Sequence, residues 1–255
     1  KRLAQKKNKG LTALINIAGL SNKALSTTDI VFGLAPRINA AGRMGSATRA
    51  VELLISEDPE KSAELAAIIE EENQLRQHID QLTFQEACEI IEKKYSSIKD
   101  TPFIVVTSEN WHPGVIGIVA SKLVEKYYRP TIMISFQEGT GIGSGRSISD
   151  FDLFEAISQA EDLLESFGGH KYAAGLTILT EYLPEFERRL SEYATQHISE
   201  EQLIPPLRID DKMELYNIDS TLMKWLDRFA PFGPDNMRPV FCSSKVMVVS
   251  YPYVV

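Results

Sequence analysis

"GIGSGRSIS", residues 141–149, sets glycine at every second position and interleaves Ser144 and Arg146. A period of two is the pattern of a β-strand. Glycine weakens a strand, however, and is kept where another backbone or a ligand must come close. On such a strand Gly139, Gly141, Gly143 and Gly145 share one face, while Ile142, Ser144 and Arg146 share the other. The spacing is not the G-x-G-x-x-G of a dinucleotide site. A hydroxyl beside a guanidinium fork suits a phosphate group. The plain alternative is a surface arginine next to a packing face, and the phosphate reading is preferred to it.

Around this strand the chain reads as an α/β unit. "FIVVT" and "PTIMISF" are strands on either side of a helix, "GVIGIVASKLVEKYY", that follows the loop "SENWHPG". Beyond the glycine strand, "FDLFEAISQAEDLLESF" reads as a helix ending at Gly168 and Gly169. "GLTIL" is a further strand, and "YLPEFERRLSEYATQHI" a third helix. Upstream, residues 59–95 contain no glycine and no proline after Pro59. Asp58 can cap this stretch, Pro59 suits its first position, and Lys93 and Lys94 suit its last turn. Such a helix reaches roughly 50 Å at 1.5 Å per residue. Leu65, Ile68, Leu75, Ile79 and Leu82 form its narrow apolar stripe, so it is expected to bridge two bodies. Before it, "STTDIVFGLAPRINAAGRMG" mixes short apolar runs with Gly, Pro and Asn, and a helix is expected to begin only near Ser46. After residue 198, "ISEEQLIPP" reads as a linker and "LRIDDKMEL" opens a β-rich unit.

Composition narrows the classes. The 255 residues carry a net charge of −8 with 44% hydrophobic residues. No apolar run approaches the roughly 20 residues of a membrane-spanning helix, and the amino end has no apolar stretch of a signal peptide. The absence of an initiator Met and a strand-like C-terminal end suggest a piece of a longer protein. Cys88 and Cys242 fit neither a disulfide framework nor a metal-ligand spacing, which points to a reducing, cytoplasmic setting. Charge is unevenly placed: residues 1–50 carry +8, leaving −16 for the rest. That asymmetry suggests a local anion-facing surface on an acidic body.

Further candidates lie in "FGGHKYAAG", residues 167–175, where His170 follows Gly168 and Gly169. If a helical turn opens there, its free N–H groups would hold an anion and His170 would stand over it as a donor. The flanking Gly169, Ala173, Ala174 and Gly175 keep the place open. His112 in "WHPGVIG" also precedes a helix, with ligand contact and loop structure equally weighted. His78 and His197 read as solvated. No Asp/His cluster is spaced for a divalent metal, and no G-x-S-x-G nucleophile turn is present.

Five motifs, "APRINAAGRMG", "WHPGVIGIVASKL", "GSGRSI", "FGGHKYAAGL" and "FAPFGPDNMRPVF", stand in an order that resembles the RecJ family of the DHH/DHHA1 phosphoesterases. The resemblance implies four regions: residues 1–57 as the end of a DHH catalytic domain and 58–95 as a connecting helix. Residues 96–200 would be a DHHA1 substrate-binding domain, and 201–255 the start of an OB-like nucleic-acid-binding domain. It implies a 5′-to-3′ exonuclease on single-stranded DNA, working in repair and recombination with Mn²⁺ or Mg²⁺. Because no Asp-His-His run occurs here, the metal ligands are expected upstream of Lys1, and this chain by itself is expected to be inactive. Carried over by motif, Ser144, Gly145 and Arg146 would bind backbone phosphate. Gly168, Gly169 and His170 would hold the scissile nucleotide, with His170 as the catalytic group. Asn39 and Arg43, with His112, would add DNA contacts. Single-stranded DNA, a single-strand-binding protein and a helicase are the implied partners. Two other readings are a phosphodiesterase for short oligonucleotides or cyclic dinucleotides, and a non-catalytic binding module.

Overall fold

The computed structural model describes residues 8–233, 235–247 and 249–251. Its organising element is α4 (Pro59–Lys94), 36 residues long and therefore roughly 54 Å. The Asp58 carboxylate accepts N–H bonds from Glu60 and Lys61, and Pro59 occupies the first turn, where its missing N–H costs nothing. Leu65, Ala66 and Ile69 of its first half join a core with α1 (Lys9–Ile17), α2 (Ala35–Met44) and α3 (Ala47–Ile55). Ala87, Cys88 and Ile91 of its second half join a different core, on the α/β unit. The helix thus connects two bodies, as its composition suggested.

Two expectations fail in this region. Leu75 and Leu82 do not lie on the buried stripe; they are about half exposed, at 52% and 51%. The buried face of the middle turns is polar instead: Asn73, Asp80 and Thr83 are buried there. It is held by ion pairs from Arg37 to Glu70, from Arg49 to Glu72 and from Lys122 to Asp80. The segment before Ser46, where no helix was expected, is helical. A π-helical turn (Asp29–Leu34) runs directly into α2, so Pro36 lies inside a continuous helix, where it has no N–H to give the preceding turn.

The α/β unit is a five-stranded sheet of β1 (Ile104–Ser108), β2 (Thr131–Gln137), β3 (Thr140–Arg146), β4 (Leu164–His170) and β5 (Ala173–Leu179). Strand order is β1-β2-β3-β5-β4, parallel between β1 and β2 and antiparallel elsewhere. The parallel pair is joined through α5 (Pro113–Tyr127). α5 packs on one face with the end of α4, around Ile104, Val106, Met133, Val115 and Leu123. α6 (Leu153–Ser158) and α7 (Leu183–His197) cover the other face, around Ile132, Ile134, Leu176, Ile178, Leu153 and Phe186. β2 and β3 are joined by Glu138 and Gly139, both at positive φ (49° and 83°), the requirement of a two-residue I′-type turn. Gly139 therefore serves the turn and not the strand face.

The helix expected over residues 151–167 stops at Ser158. After a short 3₁₀ turn (Glu161–Leu163) the chain becomes β4, so Gly168 and Gly169 lie in a strand, not at a helix end. Pairing with β5 supplies the backbone bonds that two glycines would support poorly in a helix. After β5 and α7, α8 (Ser220–Asp227) and a two-stranded parallel pair, β6 (Asp211–Lys212) with β7 (Phe241–Cys242), form the C-terminal part.

β1 is a sheet edge, and edges must be blocked against stray pairing. Here the Tyr95 hydroxyl accepts from Val105 N at 3.0 Å and donates to Val105 O at 3.1 Å, with Lys94 Nζ on the same carbonyl at 2.9 Å. Burial holds the Tyr95 phenol up at about 12. Tyr95→Phe leaves the Val105 N–H without this partner, at a cost of about 1–3 kcal/mol, to be read in a thermal melt. The folded pKa lies above the free value near 10, so the stability this phenol confers is complete below about pH 10. It is lost as pH rises towards about 12. The variant is expected to show a shallower alkaline decline; an identical decline would remove Tyr95 as its source.

Candidate nucleic-acid interface

The site grows from strand register. β3 buries Gly141, Gly143 and Gly145 on the α6/α7 side. A Cβ at Gly141 would stand 2.6 Å from Ile134 Cγ2, one at Gly143 2.7 Å from Leu176 Cδ1, and one at Gly145 2.8 Å from Leu153 Cδ2. These glycines are bare because the core is tight. Gly145 is thus turned away from the face assigned to substrate; its carbonyl instead accepts Arg146 Nη1 at 2.7 Å.

Ser144 and Arg146 occupy the opposite face, beside α5. Pairing aligns Arg146 with Ala173 on β5, and Ala173 with His170 on β4. One step along, Ser144 aligns with Gly175, and Gly175 with Gly168. Arg146 and His170 therefore share a face with one alanine between them, their Cα atoms about 10 Å apart at two strand spacings. Between the two rows the floor is small: a Cβ at Gly168 would meet nothing within 4 Å, and one at Gly175 only Gly143 O at 3.8 Å. Gly168, Gly175 and His170 are exposed. Packing does not require these glycines, so the shelf is open.

The tip of the β4–β5 hairpin is tied down. Leu153 N donates to Lys171 O at 3.0 Å, and Ser147 N to Tyr172 O at 3.1 Å. Tyr172 N donates to His170 Nδ1 at 3.3 Å, which leaves Nε2 as the ring atom available to a ligand. His170 ends a strand here. The helical turn expected to offer free N–H groups does not exist, and whatever His170 does, it does with its ring. Gly169 lies on the core side at φ 150°, where a Cβ would overlap the Ala173 carbonyl and approach Ala174 Cα at 2.6 Å. Its bareness is structural.

The helical body contributes from across the seam. Arg43, in the last turn of α2, donates from Nη1 to Gly114 O at 3.0 Å. Asn39, four residues earlier and exposed, lies on the same helical face. A Cβ at Gly114 would overlap the Arg43 carbonyl, so the end of α2 sits directly on the start of α5. His112 caps α5, its Nδ1 accepting from Gly114 N at 3.0 Å. Desolvation, with the neighbouring Arg43 charge, lowers the pKa of the Arg146 guanidinium. The same two causes lower that of Arg76 on α4, against an opposing pull from Asp80.

Arg76 is the residue that sequence reading passed over. Its Nη2 donates to Asn73 Oδ1 at 2.6 Å, and its side chain is mostly buried beside Asp80. The clue was the spacing of Asn73, Arg76 and Asp80, which places all three on one helical face. Arg43, Arg76 and Arg146 together concentrate positive charge at the seam, where an anion would be attracted. A divalent metal is another matter. Among the described residues no group of three His, Cys, Asp or Glu side chains could hold one. These residues do not fit a metal centre.

Comparison with known proteins follows the same division. A family model described as the DHHA1 domain matches residues 100–196, and one described as the RecJ OB domain matches residues 209–254. The single-stranded-DNA-specific exonuclease RecJ of Bacillus subtilis is 40% identical over 240 residues, covering 93% of this chain and 30% of the relative. RecJ of Haemophilus influenzae is 35% identical over 239 residues, covering 91% and 41%. The crystal structure of RecJ in complex with Mn²⁺ from Thermus thermophilus superposes with a TM-score of 0.80 at 28% identity. It covers 95% of this chain and 35% of that one. The chain thus spans well under half the length of these relatives. Two domain matches in the expected order, with a shared fold beneath them, place the chain in the RecJ family.

Proposed function

We propose that this chain is the strand-holding part of a RecJ-type exonuclease that cleaves single-stranded DNA from its 5′ end. The observation that carries the reading is the alignment of Arg146, Ala173 and His170 across β3, β5 and β4. It sets a phosphate-binding fork and an imidazole on one open shelf. Ser144 and Arg146 grip a backbone phosphate by charge-assisted hydrogen bonds. The nucleotide lies over Gly168 and Gly175, and His170 Nε2 reaches its phosphoryl group as donor and catalytic group. Arg43, Arg76 and Asn39 line the seam from the other body, and His112 can meet DNA only through Nε2. In the whole enzyme a divalent metal, Mn²⁺ or Mg²⁺, would supply the activation of the attacking water; the residues described here do not hold it. The residues described here bind and orient the strand and hold phosphoryl charge.

Residues 209–254, which match the RecJ OB domain, extend contact along the strand by charge and stacking. That match argues against an enzyme for cyclic dinucleotides or very short oligonucleotides, which has no use for a longer track. The free cysteines Cys88 and Cys242 agree with work in the cytoplasm, and a single-strand-binding protein or a helicase would present the strand.

The test is fluorescence anisotropy with a labelled 20-mer, single-stranded or annealed to its complement. The single strand is expected to bind at least tenfold tighter. Its log affinity should fall with log salt by about 0.7 per phosphate contact. Equal affinity for the duplex, or no dependence on salt, would overturn the reading.

A further inference from the structure

Helix α5 has a bare position directly above the arginine. A Cβ at Gly117 would stand 2.8 Å from Ser144 Oγ, 3.1 Å from Arg146 Nη2 and 3.6 Å from Ser144 Cβ. Its three nearest neighbours thus all belong to the two residues of the phosphate grip. Gly117 is buried in the helix interior, where glycine is roughly 1 kcal/mol worse than alanine. Some feature outside the helix must account for it.

We propose that Gly117 is a positioning residue for the phosphate clamp, setting where the Arg146 guanidinium lies; the inference rests on the clamp reading of Ser144 and Arg146. From the strand side the guanidinium is pinned by Gly145 O at 2.7 Å and Ser144 Oγ at 3.2 Å. From the helix side only the missing methyl leaves it room. Carbon contacts are most favourable near 3.5–4.0 Å, so a methyl at 117 displaces both the hydroxyl and the guanidinium it bonds. On the β2 side Arg146 aligns with the fully buried Thr131, and on the β5 side with Ala173. The displaced group therefore moves towards Ala173, into the space where the nucleotide is held. Gly117 acts through Arg146 and touches no substrate.

The experiment is a double-mutant cycle on the full 255-residue chain: unchanged protein, Gly117→Ala, Arg146→Ala and both together. Each is titrated against a labelled single-stranded 20-mer at fixed salt and melted in parallel. Gly117→Ala is expected to weaken binding about tenfold, within the range of coupling between residues in contact. In the Arg146→Ala background the same change is expected to cost far less, since only the shift of Ser144 Oγ remains. The melting temperature of Gly117→Ala should hold or rise, since alanine is the better helix former. If crowding lowers it, adding Ser144→Ala removes the 2.8 Å contact and should restore it; failure to do so overturns the proposal. Undiminished affinity in Gly117→Ala, or an equal loss with and without Arg146, also overturns it. Arg146→Ala binding as tightly as unchanged protein would bring down the clamp reading itself, an outcome separate from the other two.

Discussion

Arg146→Ala is expected to lower affinity for single-stranded DNA by about ten- to a hundredfold, since a hydrogen bond to a charged group is worth about 1.5–3 kcal/mol. Arg146 is half-buried between β3 and α5, its Nη1 shared by Ser144 Oγ and Gly145 O. It is therefore pre-ordered, and little entropy is lost when a phosphate arrives. Burial and the nearby Arg43 charge both disfavour its cationic form. An incoming phosphate relieves that repulsion, so the interaction should exceed one made by a solvated arginine. With one fewer phosphate neutralised, the salt slope should become shallower by about 0.7. Arg146→Lys keeps the charge but not the planar fork, and should fall between the two. A slope unchanged in Arg146→Ala would mean that the arginine touches no phosphate.

The second large effect is structural and arises where the two bodies meet. Gly114→Ala places a methyl on the Arg43 carbonyl, with its carbon at 3.1 Å. No side-chain rotamer relieves an overlap with backbone, so α2 and α5 must separate. Overpacking of this kind costs about 1–3 kcal/mol. In a chain of this size that is roughly 2–4 °C of melting temperature per kcal/mol. The Arg43 Nη1 bond to Gly114 O, now 3.0 Å, would break as the seam opens, and binding should weaken along with stability. A melting temperature within a degree of the unchanged protein would show that the seam is not held here.

Features governed by neighbours in the chain were legible before any fold was known. Asp58 and Pro59 begin α4 as their chemistry requires, because a helix cap is satisfied within three residues. The alternation of residues 140–146 does define a strand with Ser144 and Arg146 on one face. Where local signals were ambiguous, long-range pairing decided. The run through residues 151–167 contains good helix formers, yet its end becomes β4 because β5 offers it backbone partners, continuous from Ser166 to His170. Pro36 and Gly42 argued against a helix that packing against α4 sustains.

The candidate site divides in the same way. Its residue types, the serine, the arginine, the glycine pair and His170, could be named from sequence, since each is marked by unusual neighbours. Their convergence could not. That Arg146 faces His170 across Ala173 depends on the register of three strands, in which a one-residue slip would turn a side chain to the opposite face. Likewise, Arg43 reaches Gly114 across 71 positions of sequence only because α4 holds two separate cores at a set distance. Gly117 gave no local sign, and Arg76 only its spacing from Asn73 and Asp80 on one helical face. Composition and short-range chemistry determined which groups this protein owns; the distance between them was decided by tertiary packing, because no force along the chain itself acts over that separation.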